Sequence, residues 1–184
     1  MAMPNPKINY KQISRFKSPW SFKKKLAIFI WEITYYSLFV WTPKPLNTWR
    51  IFLLKLFKCK IYGYPIIHPR VRILQPWNVT LHDKCALGDR ANLYSLGEIE
   101  IFENSVIAQE AYLCTGTHNF NSELYELITA KISIKKNTFV GARTFILPGI
   151  IIGKDSIIGA CSVITKDIGD NKIAKGNPAK VKDR

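Results

Sequence analysis

From Ile134 to Ile164 an aliphatic residue occupies every sixth position: Ile134, Val140, Ile146, Ile152, Ile158 and Ile164. A helix repeats about every 3.6 residues and a strand about every 2, so neither generates this spacing. A second register rides on the first, because the residue four places after each aliphatic is Thr138, Thr144, Ile150, Ser156, Ser162 and Ile168. Such a unit predicts an all-β solenoid, a β-helix in which a short strand and a turn fill each hexapeptide and each aliphatic stacks on its counterpart one coil away. Gly141, Gly153 and Gly159 directly follow aliphatics, where a turn calls for a small residue or a positive φ.

The pattern extends upstream through Ile67 and Ile73, then Leu81, Leu87 and Leu93, then Ile101, Ile107 and Leu113, with two slips of two residues. Between Leu113 and Ile134 the spacing is 21, and the intervening GTHNFNSELYELITAK is polar and aperiodic. This predicts one excursion loop, over 119–131. A sandwich of short strands is the alternative, but it shows period two with irregular spacing. The expected organisation is an N-terminal helical segment over 1–65, a β-helix of about six coils over 66–168, and a tail over 169–184.

Residues 1–70 hold thirteen Lys or Arg and one acid, Glu32, so thirteen minus one gives +12 of the total +14. These cations alternate with apolar runs instead of forming the polar stripe that nucleic acid requires, which points to a membrane surface. LAIFIWEITYYSLFVW, residues 26–41, carries one charge and follows Lys23, Lys24 and Lys25. At sixteen residues it falls short of the roughly 20 that span a bilayer. After Thr42-Pro43-Lys44-Pro45, the stretch from Leu46 to Lys60 predicts an amphipathic helix with Leu46, Trp49, Leu53 and Leu56 near one face and Arg50, Lys55 and Lys58 elsewhere. Two roles stay open for these helices: capping the end coil, and peripheral contact with an anionic membrane. The first twenty residues lack the apolar core of a cleavable signal. The widely spaced Cys59, Cys85, Cys114 and Cys161 read as reduced core or turn thiols. Together these predict a cytoplasmic protein, peripheral on the inner face of the membrane if the helices touch it.

Three histidines exist. His68 precedes a proline and His82 sits at a turn, and neither position suggests chemistry. His118 closes AYLCTGTHNF where the repeat stops, so it faces a groove and not the core.

The hexapeptide run, the LCTGTH before the excursion and the ending GACSVITKDIGDNKIAKGNPAKV resemble the hexapeptide acyltransferases, most nearly the maltose, galactoside and colanic-acid-type O-acetyltransferases. The resemblance covers roughly 66–184, and PWSFKKK and WTPKPLNTWR are similar to the colanic-acid-type branch. It implies a left-handed parallel β-helix, a homotrimer with active sites between subunits, and acetyl-CoA as co-substrate with no metal. It also implies His118 as general base, a backbone N–H at Ala142 facing the oxyanion, and Asn92 binding the acceptor sugar. Coenzyme A would lie along Ala142, Ala160, Thr165, Lys166 and Lys180. The chain ends at KVKDR soon after NPAKV, leaving open whether Lys182 or Arg184 supplies a phosphate contact.

Three other readings bear on function. A γ-class carbonic anhydrase needs three convergent imidazoles, and His118 has no partner five residues away. A structural solenoid without activity has no use for TGTH or the excursion. N-acetylation of an amino-sugar nucleotide, or transfer to serine, is the alternative within acyltransferases. The preferred acceptor is a sugar hydroxyl on a surface polysaccharide or its lipid-linked precursor.

Overall fold

The computed structural model describes residues 7–8 and 18–184. Lys11, Arg15 and Lys17, and most of the stretch read as lacking a signal, lie outside the described residues.

The sixth-position aliphatics point inward from three parallel sheets. The first face stacks Lys60–Ile61, Val79–Leu81, Ile99–Ile101, Ile132–Ile134 and Ile151–Ile152. The second stacks Ile66–Ile67, Ala86–Leu87, Val106–Ile107, Phe139–Val140, Ile157–Ile158 and Lys172–Lys175. The third stacks Arg72–Ile73, Asn92–Tyr94, Tyr112–Cys114, Phe145–Ile146 and Val163–Ile164. From Ile67 to Ile164 every aliphatic of the repeat is at most 2% exposed. Each contributes about 1.5–3 kcal/mol by leaving water. The second register is buried as well, and Thr138, Thr144, Ser156 and Ser162 donate to the Gly153, Gly141, Gly169 and Gly159 carbonyls.

The ladder overruns 66–168 at both ends. Ile61 pairs with Leu81 and lies six residues before Ile67, while beyond Ile168 the residue Ile173 pairs with Ile157. The two slips widen the edge between the third and first faces. Gln75, Ser95 and Thr115, each two residues past an aliphatic, are buried there: Gln75 N donates to Ser95 Oγ at 2.9 Å and Thr115 Oγ1 to Tyr94 O at 2.7 Å.

Of the two reasons given for glycine at these turns, small size holds and positive φ does not. Positive φ falls on Arg143, Asp155 and Cys161, two residues after Gly141, Gly153 and Gly159, which are absent from the positive-φ set. What Gly141 and Gly153 provide is close approach of coils: a Cβ on Gly141 would stand 2.6 Å from Ala160 N, and one on Gly153 2.5 Å from Asp170 N.

The excursion is more ordered than its polarity suggested. Gly116–His118 and Leu127–Thr129 form an antiparallel hairpin, extended by Lys7–Ile8, and the returning Leu127, Ile128, Thr129 and Ala130 are buried.

Two helices close the first coil. α1, Phe22–Thr34, starts at Ser21, whose hydroxyl accepts from Lys24 N, and runs into a π-helical turn, Tyr35–Phe39. α2, Asn47–Leu56, follows the prolines. Trp31, Tyr35, Phe39, Leu53 and Leu54 join the solenoid core. The open strand edge is met by side chains, with Trp31 Nε1 donating to Ile73 O at 2.7 Å and Asn47 taking Ile67 N at 3.0 Å. Capping is therefore a role these helices fill. The apolar face predicted for α2 does not turn onto the solenoid as a unit: of Leu46, Trp49, Leu53 and Leu56, Leu53 alone is buried. Arg50, assigned to the polar side, is 1% exposed and donates to the Ile67, Pro43 and Lys44 carbonyls and to Thr42 Oγ1. Backbone acceptors left by an end coil attract a five-donor guanidinium better than an aliphatic does.

Candidate active site

The hairpin departs at the third–first edge, where it replaces a corner of the coil, and carries His118 on its outgoing strand. The imidazole is exposed, and Nδ1 lies 2.7 Å from the Tyr125 carbonyl oxygen across the hairpin. A carbonyl only accepts, so Nδ1 is the donor, and in the neutral ring this leaves the lone pair on Nε2.

Ala142 and Ala160 sit at the other end of the third face, on the second–third edge. They are 18 residues apart, one coil, and stack: Cys161 N donates to Ala142 O at 2.8 Å. Neither the Ala142 nor the Ala160 amide donates to a carbonyl among the described residues. Further along, Val163 holds the loop that leads to Lys180, through Val163 N to Gly176 O at 2.9 Å and Ala179 N to Val163 O at 3.0 Å. Lys180 and Lys166 are exposed, and Thr165 is half-buried.

Asn92 opens its strand of the third face two coils earlier, paired with Tyr112, and its Oδ1 is buried with no hydrogen-bond partner among the described residues. Beside it an aromatic ladder runs up the outer side of the third face: Tyr94 and Tyr112 ring centres are 5.9 Å apart, Tyr112 and Phe145 5.0 Å and nearly parallel. Burial pushes the Tyr112 phenol up to about 12 and raises that of Tyr94, so both are neutral hydroxyls near neutrality. Sequence reasoning missed this ladder, although Tyr94, Tyr112 and Phe145 each neighbour a repeat aliphatic and so had to point outward.

A hollow of about 530 Å³ lies upstream on the second face, lined by Lys44, His68, Gly88 and Gln109 among others. His68 Nδ1 is 3.1 Å from Asp89, which also holds Arg70, and burial lowers the His68 pKa, with Asp89 opposing. His82 is stacked between Tyr62 and Phe102 beside Glu100 and Glu103, a structural setting. Among the described residues no three His, Cys, Asp or Glu side chains converge as metal ligands would.

Ala142 and Ala160 are thus brought together, and Lys180 is led back past Val163 beyond them. His118 is not brought to them: within one chain it occupies the opposite edge of the same face.

The bacterial transferase hexapeptide family, described by six repeats, matches residues 131–166. WcaF of Escherichia coli (strain K12), which bears the provisional name colanic acid biosynthesis acetyltransferase, is 38% identical over 173 residues, covering 93% of this chain and 95% of its own. The chain belongs to the hexapeptide-repeat acetyltransferase family. Solved structures agree on a left-handed β-helix. A maltose O-acetyltransferase from Clostridium difficile 630 has a TM-score of 0.76 at 23% identity, over 90% of this chain and 91% of that one. A hexapeptide-repeat acetyltransferase from Vibrio cholerae O1 biovar eltor, complexed with acetyl coenzyme A, has a TM-score of 0.76 at 16% identity, over 89% and 90%.

Proposed function

We propose that the protein transfers the acetyl group of acetyl-CoA directly to a sugar hydroxyl in the synthesis of a surface polysaccharide, with His118 as general base. The observation that carries this is the bond from His118 Nδ1 to Tyr125 O, which fixes the tautomer a base requires. Nε2 takes the hydroxyl proton as the sugar oxygen attacks the thioester carbon. The carbon–sulfur bond then breaks, and the proton passes to the departing thiolate, so no acyl-protein intermediate is formed. The free Ala142 amide suits the oxyanion, because a donor already in place costs no reorganisation.

The fit to acetyl-CoA rests on the second–third edge. Ala142 and Ala160 present amides and small side chains to the pantetheine arm, and Thr165, Lys166 and Lys180 supply a hydroxyl and cations for the phosphate end. On the acceptor side, the unpartnered Asn92 Oδ1 is ready to receive a sugar hydroxyl. The name of the WcaF relative favours a polysaccharide or its lipid-linked precursor.

The opposite placement of His118 and Ala142 supports a homotrimer, in which the hairpin edge of one subunit meets the alanine edge of the next. The enzyme works in the cytoplasm, peripheral on the inner face of the membrane.

The test is His118→Ala. Turnover should fall by about two to four orders of magnitude while the Kd for coenzyme A stays within about twofold, because the base touches the acceptor's proton and not the cofactor. Retention of more than about a tenth of the rate would remove His118 from the mechanism.

A further inference from the structure

Twelve of the twenty large hydrophobic side chains exposed among the described residues fall between Phe22 and Leu56, so the exposure is concentrated in the helical cap. On α1 the residues Phe22, Leu26, Phe29 and Ile33 lie on the face opposite Trp31 and Tyr35. A helix apolar on both faces is one that is covered on both faces. The solenoid covers one.

The outer stripe continues into α2. Trp49 Nε1 donates to Leu38 O at 2.9 Å, and its ring centre is 5.5 Å from that of the exposed Phe52. Several polar atoms on this side are satisfied internally. Trp41, 82% exposed, donates its indole N–H to Tyr36 O at 2.8 Å, and Thr34 and Ser37 hydroxyls donate to the Ile30 and Ile33 carbonyls. A surface facing water has no need of this, whereas one facing hydrocarbon does.

Lys23 and Lys25 flank the α1 stripe on the helical wheel, and Lys44, Lys55 and Lys58 are exposed. Residues 18–60 contain eight Lys or Arg and one acid, eight minus one giving +7, and that acid, Glu32, is held by Arg72 at 2.5 Å. Among the described residues no helix is long and apolar enough to cross a membrane.

We propose that the outer face of α1 and α2 is a membrane-inserting surface that lies in the interface of a bilayer containing anionic lipid, its apolar side chains below the headgroups and its lysines among them. It rests on the reading above only for where the enzyme works. A second copy is a poorer occupant, because a two-fold contact would set one cationic rim against another. A cyclic trimer with its axis along the solenoids would turn three such faces to one plane.

The full chain should be floated with vesicles of phosphatidylcholine and phosphatidylglycerol, and with phosphatidylcholine alone. Binding should be at least about tenfold tighter to the anionic vesicles, and salt should weaken it without abolishing it. The Phe29→Gln, Ile33→Gln pair should lose at least about tenfold on both vesicles, and Lys23→Glu, Lys25→Glu should erase the anionic preference. Wild-type protein that stays unbound at low salt, or a glutamine pair that binds like wild type, overturns the proposal. An oligomer mass that falls with the glutamine pair, without vesicle binding, assigns the face to a second copy instead. Coenzyme A affinity, measured on the same variants, should not change. Vesicle binding without cofactor binding breaks the acetyl-transfer reading alone, and the converse breaks this one alone.

Discussion

The two ends of the solenoid solve one problem in opposite ways. Each terminal coil leaves a row of backbone groups without a neighbour. At the first coil two helices bring bulk: Trp31, Tyr35 and Phe39 fill the opening, and Trp31, Asn47 and Arg50 meet the strand edge atom by atom. At the last coil the chain doubles back as Lys172–Lys175 against Lys180–Asp183, a thin antiparallel hairpin whose returning strand is exposed throughout. The first solution adds apolar surface faster than it buries it, and the second adds almost none. The roles proposed above, lipid contact at the helical end and coenzyme A phosphate at the strand end, match that difference.

The sharpest way to break this comparison is to remove bulk from the helical end. Trp31→Ala should cost about 3–5 kcal/mol in chemical denaturation, since it deletes a fully buried ring and leaves the Ile73 carbonyl without its donor. Val181→Ala, on the exposed strand at the other end, should stay within about 0.5 kcal/mol. Equal losses would mean that both ends are structural caps.

A smaller effect sharpens the function of the strand end. Lys180→Ala should raise the KM for acetyl-CoA by about fivefold to tenfold with Tm unchanged, as expected of a charge that meets a ligand and not the core. A Tm drop with KM unaltered would make Lys180 a structural residue.

The mildest probe is thiol alkylation near neutral pH. Cys59, buried between α2 and the first coil with Sγ donating to Val79 O, and Cys85 are held as thiols by burial, which pushes Cys85 up to about 12 and Cys59 higher. Both should stay silent until unfolding. Cys161 is exposed beside Ala160 and should react first, more slowly when acetyl-CoA is bound.

The solenoid was legible because its signal is redundant: each inward position recurs every six residues and a one-residue error would turn an aliphatic outward. The stacking of Ala142 on Ala160 was implicit in the same count, three hexapeptides making one coil. The inward face of α2 was not legible, because that helix is apolar on both sides and the deciding partner of Arg50, the Ile67 carbonyl, lies 17 residues away. Positive φ at Arg143 and Cys161 was hidden for a different reason, since nothing in an arginine or a cysteine advertises a left-handed turn. His118 was legible as the point where the repeat stops. Its tautomer depends on the Tyr125 carbonyl, and backbone oxygens leave no mark in a sequence.

The count of coils has a consequence of its own. The helices rest on the first coil and the His118 hairpin springs from the third, so two strand spacings, roughly 10 Å, separate them along the axis. With the helix layer of about 10 Å beneath, a bilayer at the outer face would hold the hairpin at a fixed height above the headgroups. The solenoid is then a ruler: deleting residues 82–101, one coil of the ladder, would lower the His118 edge by about 5 Å without touching a residue proposed to meet acetyl-CoA, though it would remove Asn92. An acceptor tethered to the membrane would be selected by its reach as well as by its sugar.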